Sequence, residues 1–323
     1  MNPTTPLEVV AGVISNPNGD VLINQRTQPS QFAGQWEFPG GKIDPGETLH
    51  DALARELREE LDIEVLESNP LISITHDYPH ARVQLNVRTV SKYRGIPKGA
   101  EGQSIRWLQP DALREVNFLE ANGPIINAVL LPDCYIITDS SRYGQVNTLR
   151  RLERLLTIRK CIVQVREQAS NPADFGKFAE HIIDLCHRYK APVLANADPE
   201  IAHELGFDGV QLRFDKLDKH PVRPGPDAFW IGASCHNKKE LAAAERLGAD
   251  FVILKAVSNN ALRVGAKTGY WEQVSTLCDF ARIPVYVLAG TQFDDLKRAR
   301  DNGAQGVAMI GGIWEETSSF SHV

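Results

Sequence analysis

The chain has 323 residues, of which 42% are hydrophobic, enough for ordinary cores and a prior of two domains. Its formal net charge of -6 excludes the basic footprint of a duplex nucleic-acid binder. Five scattered cysteines (Cys134, Cys161, Cys186, Cys235, Cys278) form no CxxC pair, which argues against a zinc site or a disulfide framework.

The opening MNPTTPLEVV lacks the basic and apolar regions of a signal peptide. No apolar run approaches a membrane span. The expectation is a cytoplasmic protein with reduced thiols and no membrane partner.

In chain order, VVAGVIS and VLINQR are β-type runs flanking Asn16-Pro17-Asn18-Gly19, a hairpin turn signal. Trp36 to Phe38 forms another short strand. A strong helix is predicted over Glu47 to Leu61. Thr48 and Asp51 stand at capping-box spacing, with Asp replacing the usual Glu or Gln. Leu49, Leu53, Leu57 and Leu61 recur every four residues and define one buried stripe. The strands LISITHDY, VQLNVRTV and SIRWL follow, and a second helix covers Glu120 to Val129. This is an α+β or α/β/α-type domain over residues 1–131.

After Pro132-Asp133 the pattern changes. CYIITD, CIVQVRE, VLAN, GVQLR, WIGASC, FVILKAV, VYVLAG and GVAMIGG are short, nearly continuous apolar runs, as parallel strands covered by helices require. Amphipathic segments such as FGKFAEHIIDLCHRY and KKELAAAERLG alternate with them. Eight such strands over residues 134–323 predict a compact (β/α)₈ barrel.

The run GGKIDPGETLHDALARELREELDI, beginning at Gly40, carries the chemistry. Helical spacing puts Glu56 beside both Glu59 and Glu60. Three crowded carboxylates destabilise one another unless something offsets them. A hard divalent cation with oxygen ligands is the simplest offset.

These residues resemble the Nudix signature, matched at Gly41, Glu47, Arg55, Glu56, Leu57, Glu59, Glu60 and Ile63. Asp62 stands where that family has Gly. The position closes the helix and favours φ > 0, which Asp tolerates better than most residues. The resemblance implies that Glu56, Glu59 and Glu60 ligate Mg²⁺ or Mn²⁺, helped by the Gly40 carbonyl. It implies that Arg55 orients the glutamates and that Glu47 supports the loop. The implied reaction hydrolyses a nucleoside diphosphate linked to another moiety.

QWEFPGGKIDPGET is similar to the MutT branch, whose substrate is the nucleoside triphosphate 8-oxo-dGTP, cleaved to 8-oxo-dGMP and pyrophosphate. By the same resemblance, Arg26 in VLINQRT lies near the nucleotide, and Phe38 lines the base pocket. Lys42 joins the substrate-binding candidates. Glu101 in GAEGQSIRW matches a mobile-loop glutamate, a metal-ligand or general-base candidate. Gly99 and Gly102 would let that loop swing over the site. Asn122 in EANGPII matches the base-reading asparagine. A carbonyl aimed at N7 would accept from the N7–H of 8-oxoguanine and clash with the lone pair of guanine. The alternatives are bland: a solvated loop acid for Glu101, a helix cap for Asn122, a surface cation for Arg26 and core packing for Phe38.

The second half resembles the thiamine phosphate synthase/TenI superfamily of barrels. YIITD, IVQVRE, VLAN, GVQLR and GASCH occur in the order in which those proteins carry related strand ends. The acidic Mg²⁺ positions of the synthases fall on Ala197 and on Lys216, next to Asp215. AVSNNALRVGAKTG replaces the Gly-Pro-rich loop after the sixth strand. Without metal ligands a diphosphate is poorly stabilised, so full synthase activity is not expected. In TenI-like thiazole tautomerases a histidine follows the fifth strand, and His236 occupies that place. Arg166, Gly290, Gly311 and Gly312 are candidates to hold a phosphorylated thiazole or similar ligand; the alternatives are a loop or helix N-terminal histidine for His236, a structural ion pair for Arg166 and close strand–helix packing for the glycines. Three readings stay open: a nucleotide-sanitising hydrolase with an accessory barrel, a bifunctional thiamine-pathway enzyme, and a barrel that senses a phosphorylated ligand.

Overall fold

The computed structural model describes residues 6–27, 32–79, 81–167, 172–226, 228–255, 267–288, 292–311 and 314. The chain divides into two compact units, Met1–Leu130 and Leu131–Val323.

The first unit contains β1 (Leu7–Ile14), β2 (Val21–Gln25), β3 (Trp36–Glu37), β4 (Gly40–Lys42), α1 (Leu49–Leu61), β5 (Glu64–Tyr78), β6 (Ala81–Arg94), β7 (Ile105–Leu108) and α2 (Gly123–Leu130). One sheet has the order β4-β1-β6-β5 and the other β3-β2-β7. The turn at Asn16–Gly19 forms: the Gly19 N–H donates to the Asn16 carbonyl, and the Asn16 side-chain oxygen accepts from the N–H groups of Asn18 and Asp20. The expected hairpin does not extend from it. A single bridge joins Ser15 and Val21, after which β1 and β2 enter different sheets. Val10 and Ile14 of β1 meet Leu22 of β2 within the core beneath α1, so burial decides the path and the turn only reverses the chain.

Helix α1 starts at Leu49, two residues later than its acidic pattern implies. Thr48 is the N-cap and accepts from the Asp51 N–H, while its hydroxyl donates to the Asp51 carboxylate. Leu53, Leu57 and Leu61 are fully buried and Leu49 half-buried. Truncating such a leucine to Ala costs about 2–5 kcal/mol. Asp62 ends the helix at φ 56° and ψ 41°, in the left-handed region that the Gly of the resembled motif would adopt freely. We expect Asp62→Gly to stabilise the protein by about 0.5–1 kcal/mol, measured as a shift in denaturation midpoint. A loss of stability would mean that the exposed Asp62–Lys98 ion pair outweighs the backbone strain.

The second unit runs β8 (Cys134–Ile137), α3 (Ser140–Tyr143), α4 (Gln145–Ile158), β9 (Ile162–Val165), α5 (Pro172–Arg188), β10 (Val193–Ala195), α6 (Pro199–Glu204), β11 (Gly209–Leu212), α7 (Phe214–Leu217), β12 (Trp230–Cys235), α8 (Lys238–Leu247), β13 (Phe251–Leu254), α9 (Lys267–Cys278), β14 (Val285–Val287), α10 (Leu296–Asp301) and β15 (Gly306–Met309). All eight predicted strands form, and they close into a parallel barrel through β15–β8 pairing. Alternate residues do two jobs. Tyr135, Ile162, Leu194, Phe251, Tyr286 and Ala308 fill the barrel interior, while Ile136, Val163, Val193, Val252 and Val307 pack under the helices. That double burial is why the strands read as continuous apolar runs.

Candidate functional site

Two glycines of the β3–β4 segment bring main chain against α1. Gly40 has φ 149°, and a Cβ there would lie 2.1 Å from the Val10 carbonyl oxygen. A Cβ on Gly41 would lie 2.3 Å from the Glu56 carboxyl carbon. Only glycine allows this approach. The Gly40 N–H donates to Glu60 Oε2 at 3.0 Å, so it is the amide of Gly40 that touches the acidic helix.

Arg55 organises one flank. Its Nε and Nη2 donate to the two oxygens of Glu47 at 2.8 Å each, Nη1 donates to Glu56 Oε1 at 2.8 Å, and Nη2 also reaches the Lys42 carbonyl at 2.9 Å. The Arg55 hydrogen bonds and the Asp44 N–H hold the Glu47 carboxyl down to about 2, and the hydrogen bonds to Glu47 and Glu56 raise Arg55. Glu59 stands 3.7 Å from Arg55 and is more exposed than Glu56. The opposite flank is electrostatically frustrated. Burial pushes Glu60 up to about 8, against the Gly40 hydrogen bond, and the charges of Glu37, Glu56 and Glu101 push in the same direction.

Among the described residues no three acidic, histidine or cysteine side chains already converge as a cation cage. The donor set nevertheless fits a hard divalent ion. It is all oxygen, and a bound cation would offset the burial and the like charge that raise the Glu60 carboxyl.

A cavity of about 800 Å³ is lined by Gly40, Lys42, Glu56, Glu60 and Glu101 and also by Arg26, Phe38 and Asn122. Arg26 donates to Glu37 at 2.6 Å, and burial raises the Glu37 carboxyl although Arg26 opposes this. Phe38 is buried in the core, stacks on Phe118 with ring centroids 5.5 Å apart, and still forms cavity wall; both of its expected roles are compatible. The buried Asn122 amide donates to the Leu119 carbonyl at 3.3 Å, which leaves its side-chain carbonyl as acceptor.

Three cavity residues had no motif signal. Glu37 lies inside QWEFPGGKIDPGET, where its neighbours carry the resemblance. Asn24 is 3% exposed, and its side-chain oxygen has no hydrogen-bond partner among the described residues. Gln103 joins the Glu101 segment to α1. Alternation along VLINQR could have flagged Asn24 as a polar residue on the inward face with Leu22.

At the barrel mouth, Arg166 and His236 continue the inward alternation of β9 and β12. Arg166 is exposed, and its N–H donates to the Thr138 hydroxyl at 3.1 Å. The His236 ring contacts Glu240 through Nδ1 at 2.8 Å and lies edge-on to Phe214. Glu240 also accepts from the His236 N–H and from the Asn237 amide, each at 2.8 Å. A carboxylate on Nδ1 fixes the proton there and leaves Nε2 as the basic nitrogen. Ala197 follows β10, Lys216 lies exposed in α7, and Asp215 pairs with Arg213 at 3.1 Å. Gly311 is partly exposed, with open space where a Cβ would stand. Gly290 and Gly312 lie outside the described residues.

A thiamine monophosphate synthase family model matches residues 134–313, more than half of the chain, and a NUDIX domain model matches residues 10–128. The chain joins a Nudix domain to a thiamine monophosphate synthase/TenI barrel. The Nudix half is similar to the 8-oxo-dGTP diphosphatase of Haemophilus influenzae, 37% identical over 124 residues, covering 38% of this chain and 91% of that protein. It is also similar to the CTP pyrophosphohydrolase of Escherichia coli, 34% identical over 124 residues, covering 38% of this chain and 91% of that protein. The barrel half is similar to a thiamine-phosphate synthase of Fusobacterium nucleatum, 28% identical over 189 residues, covering 58% of this chain and 92% of that protein. These relatives support a pyrophosphohydrolase, in a family that commonly uses divalent metals. Among the described residues no helix is long and apolar enough to cross a membrane.

Proposed function

We propose that the Nudix domain hydrolyses 8-oxo-dGTP to 8-oxo-dGMP and pyrophosphate with Mg²⁺, or Mn²⁺ in its place, as a nucleotide-pool sanitising activity. One observation carries the reading: a single cavity is lined both by acidic-helix carboxylates and by Phe38 and Asn122. Glu56, Glu59, Glu60 and Glu101 would hold the metal, which neutralises phosphate oxygens and acidifies water when bound. Arg55 keeps the carboxylates in register through Glu47 and Glu56. Arg26 and Lys42 bind the phosphate and sugar side of the nucleotide. Glu101 takes the proton of the attacking water at a carboxylate oxygen. Phe38 packs on the base, and the Asn122 carbonyl accepts from its N7–H.

The test is pyrophosphate release from 8-oxo-dGTP, dGTP and CTP with Mg²⁺. The oxidised nucleotide is expected to have the highest kcat/KM, by roughly 10²-fold or more over dGTP. Equal rates on 8-oxo-dGTP and dGTP, or a preference for CTP, would reject the substrate.

For the barrel we propose binding of a thiazole phosphate or related phosphorylated ligand, without synthase turnover. The His236–Glu240 contact favours a retained proton-transfer site, while Ala197 and Lys216 argue against a metal-bound diphosphate. Calorimetry with thiazole phosphate is expected to give weak binding, in the range of about 0.1–1 mM. Thiamine phosphate formed from the pyrimidine diphosphate and the thiazole phosphate would overturn this view.

A further inference from the structure

The segment carrying Glu101 forms the end cap of the acidic helix. The last four carbonyls of an α-helix lack intrahelical partners. In α1 two of them are satisfied by this segment. The Leu61 carbonyl accepts from the Lys98 N–H at 3.1 Å, and the Glu60 carbonyl accepts from the Ala100 N–H at 2.9 Å. The Glu60 carbonyl also accepts from Gln103 Nε2 at 2.8 Å. The other end of the same amide, Oε1, accepts from the Glu101 N–H at 2.9 Å. Gln103 is 8% exposed, so water competes poorly for these bonds.

The turn is built for this. A Cβ on Gly99 would stand 1.9 Å from the Gln103 carbonyl oxygen, and Gly102 has φ 84°. The two glycines read in the sequence as hinges are thus the residues that let the turn close on itself. One side chain therefore spans the backbone of Glu60 and the backbone of Glu101.

We infer that Gln103 is a positioning residue that sets Glu101 against the carboxylates of α1, by hydrogen-bonding the Glu60 carbonyl with one end of its amide and the Glu101 N–H with the other. The inference rests on the reading of Glu101 as a group that acts on the attacking water. Gln103 carries no ionisable group and is assigned no direct part in the chemistry. Its effect on rate passes entirely through Glu101. A misplacement of about 1 Å in a reacting group costs on the order of 10²-fold in rate.

The experiment is a double-mutant cycle on the full-length chain, using Gln103→Met (similar length, no hydrogen bonds), Glu101→Gln and the pair. Gln103→Met should lower kcat by roughly 10- to 100-fold with KM changed less than about threefold. In the Glu101→Gln background the same change should lower kcat by less than about twofold, because the group it positions is gone. Amide hydrogen exchange at Glu101, followed without metal or nucleotide, should accelerate in Gln103→Met while that of Leu53 and Leu57 is unchanged. Should Gln103→Met fail to fold, Gln103→Glu keeps the acceptor for the Glu101 N–H and removes the donor to Glu60, and the same non-additivity is expected. Equal kcat losses in both backgrounds, or an unchanged kcat in Gln103→Met beside an impaired Glu101→Gln, would sink the tether alone. A fully active Glu101→Gln would remove the role of Glu101, and the tether with it.

Discussion

Glu60→Gln should abolish turnover while making the metal-free protein more stable. The two effects have one cause. Glu60 is pushed up to about 8, chiefly by burial, with Glu37, Glu56 and Glu101 adding like charge. Its folded value lies above the ordinary carboxylate value of 4.5, so ionisation is harder in the folded chain than in the unfolded one. Between those two values the unfolded chain has already lost the proton that the folded chain retains. Stability from this group is therefore greatest below pH 4.5 and declines as pH rises toward about 8. Glutamine keeps the shape and the acceptor for the Gly40 N–H and cannot ionise. Denaturant melts of the metal-free proteins at pH 6 and pH 8.5 should favour the variant more at the higher pH. Turnover should fall by about 10²–10³-fold or more, since the amide oxygen is a poorer ligand and carries no charge. Metal uptake by the native protein should release protons below about pH 8 and tighten as pH rises through that window. An active Glu60→Gln enzyme would take Glu60 out of the metal site. A variant less stable than the parent at pH 8.5 would show that the charged carboxylate has a favourable partner that outweighs its burial.

Asn122→Ala should collapse the discrimination between 8-oxo-dGTP and dGTP. The side-chain carbonyl can pair with N7–H of the oxidised base, whereas it faces a lone pair on guanine. A buried polar group left unpaired costs about 1–3 kcal/mol, so the substrate ratio should fall by roughly 10- to 100-fold. Most of the change should come from a raised KM for 8-oxo-dGTP. The competing role, a helix cap, predicts another signature. A lost cap costs about 0.5–2 kcal/mol of stability and leaves the ratio untouched. In the structure the Asn122 amide donates to the Leu119 carbonyl and sits in a short 3₁₀ turn before α2. Steady-state kinetics on both nucleotides, with a melt of the same preparation, separates the two. An unchanged ratio would leave base reading to other residues of the cavity.

Legibility differed between the halves for physical reasons. The barrel strands were readable because burial on both faces writes itself as unbroken apolar runs, and their order follows from chain order once a parallel barrel is inferred. Helix α1 was readable from its leucine stripe and its caps, and Asp62 takes the left-handed conformation that its position demanded. The pairing of β1 and β2 was not, because a turn signal is local while sheet membership depends on what lies beneath Val10 and Leu22. The same limit applied to Glu101. Glycines at 99 and 102 look identical in sequence whether they serve a swinging loop or a closed turn. The difference lies in which carbonyls the neighbouring residues can reach, and that is tertiary information. Gln103 was silent because a single loop amide carries no periodic or spacing signal, and Asn24 showed only as one polar residue within the alternation of VLINQR.

Part of the cavity wall beside α1 is peptide rather than side chain, since a Cβ on Gly40 would meet the Val10 carbonyl and one on Gly41 the Glu56 carboxyl. Proline apart, no substitution removes a main-chain N–H. On the proposed function this peptide part of the site tolerates little drift, and new specificities would be written at side chains of the same cavity, such as Glu37, Phe38 and Asn122. Such a division would let the accepted nucleotide change while the same proposed cleavage is kept.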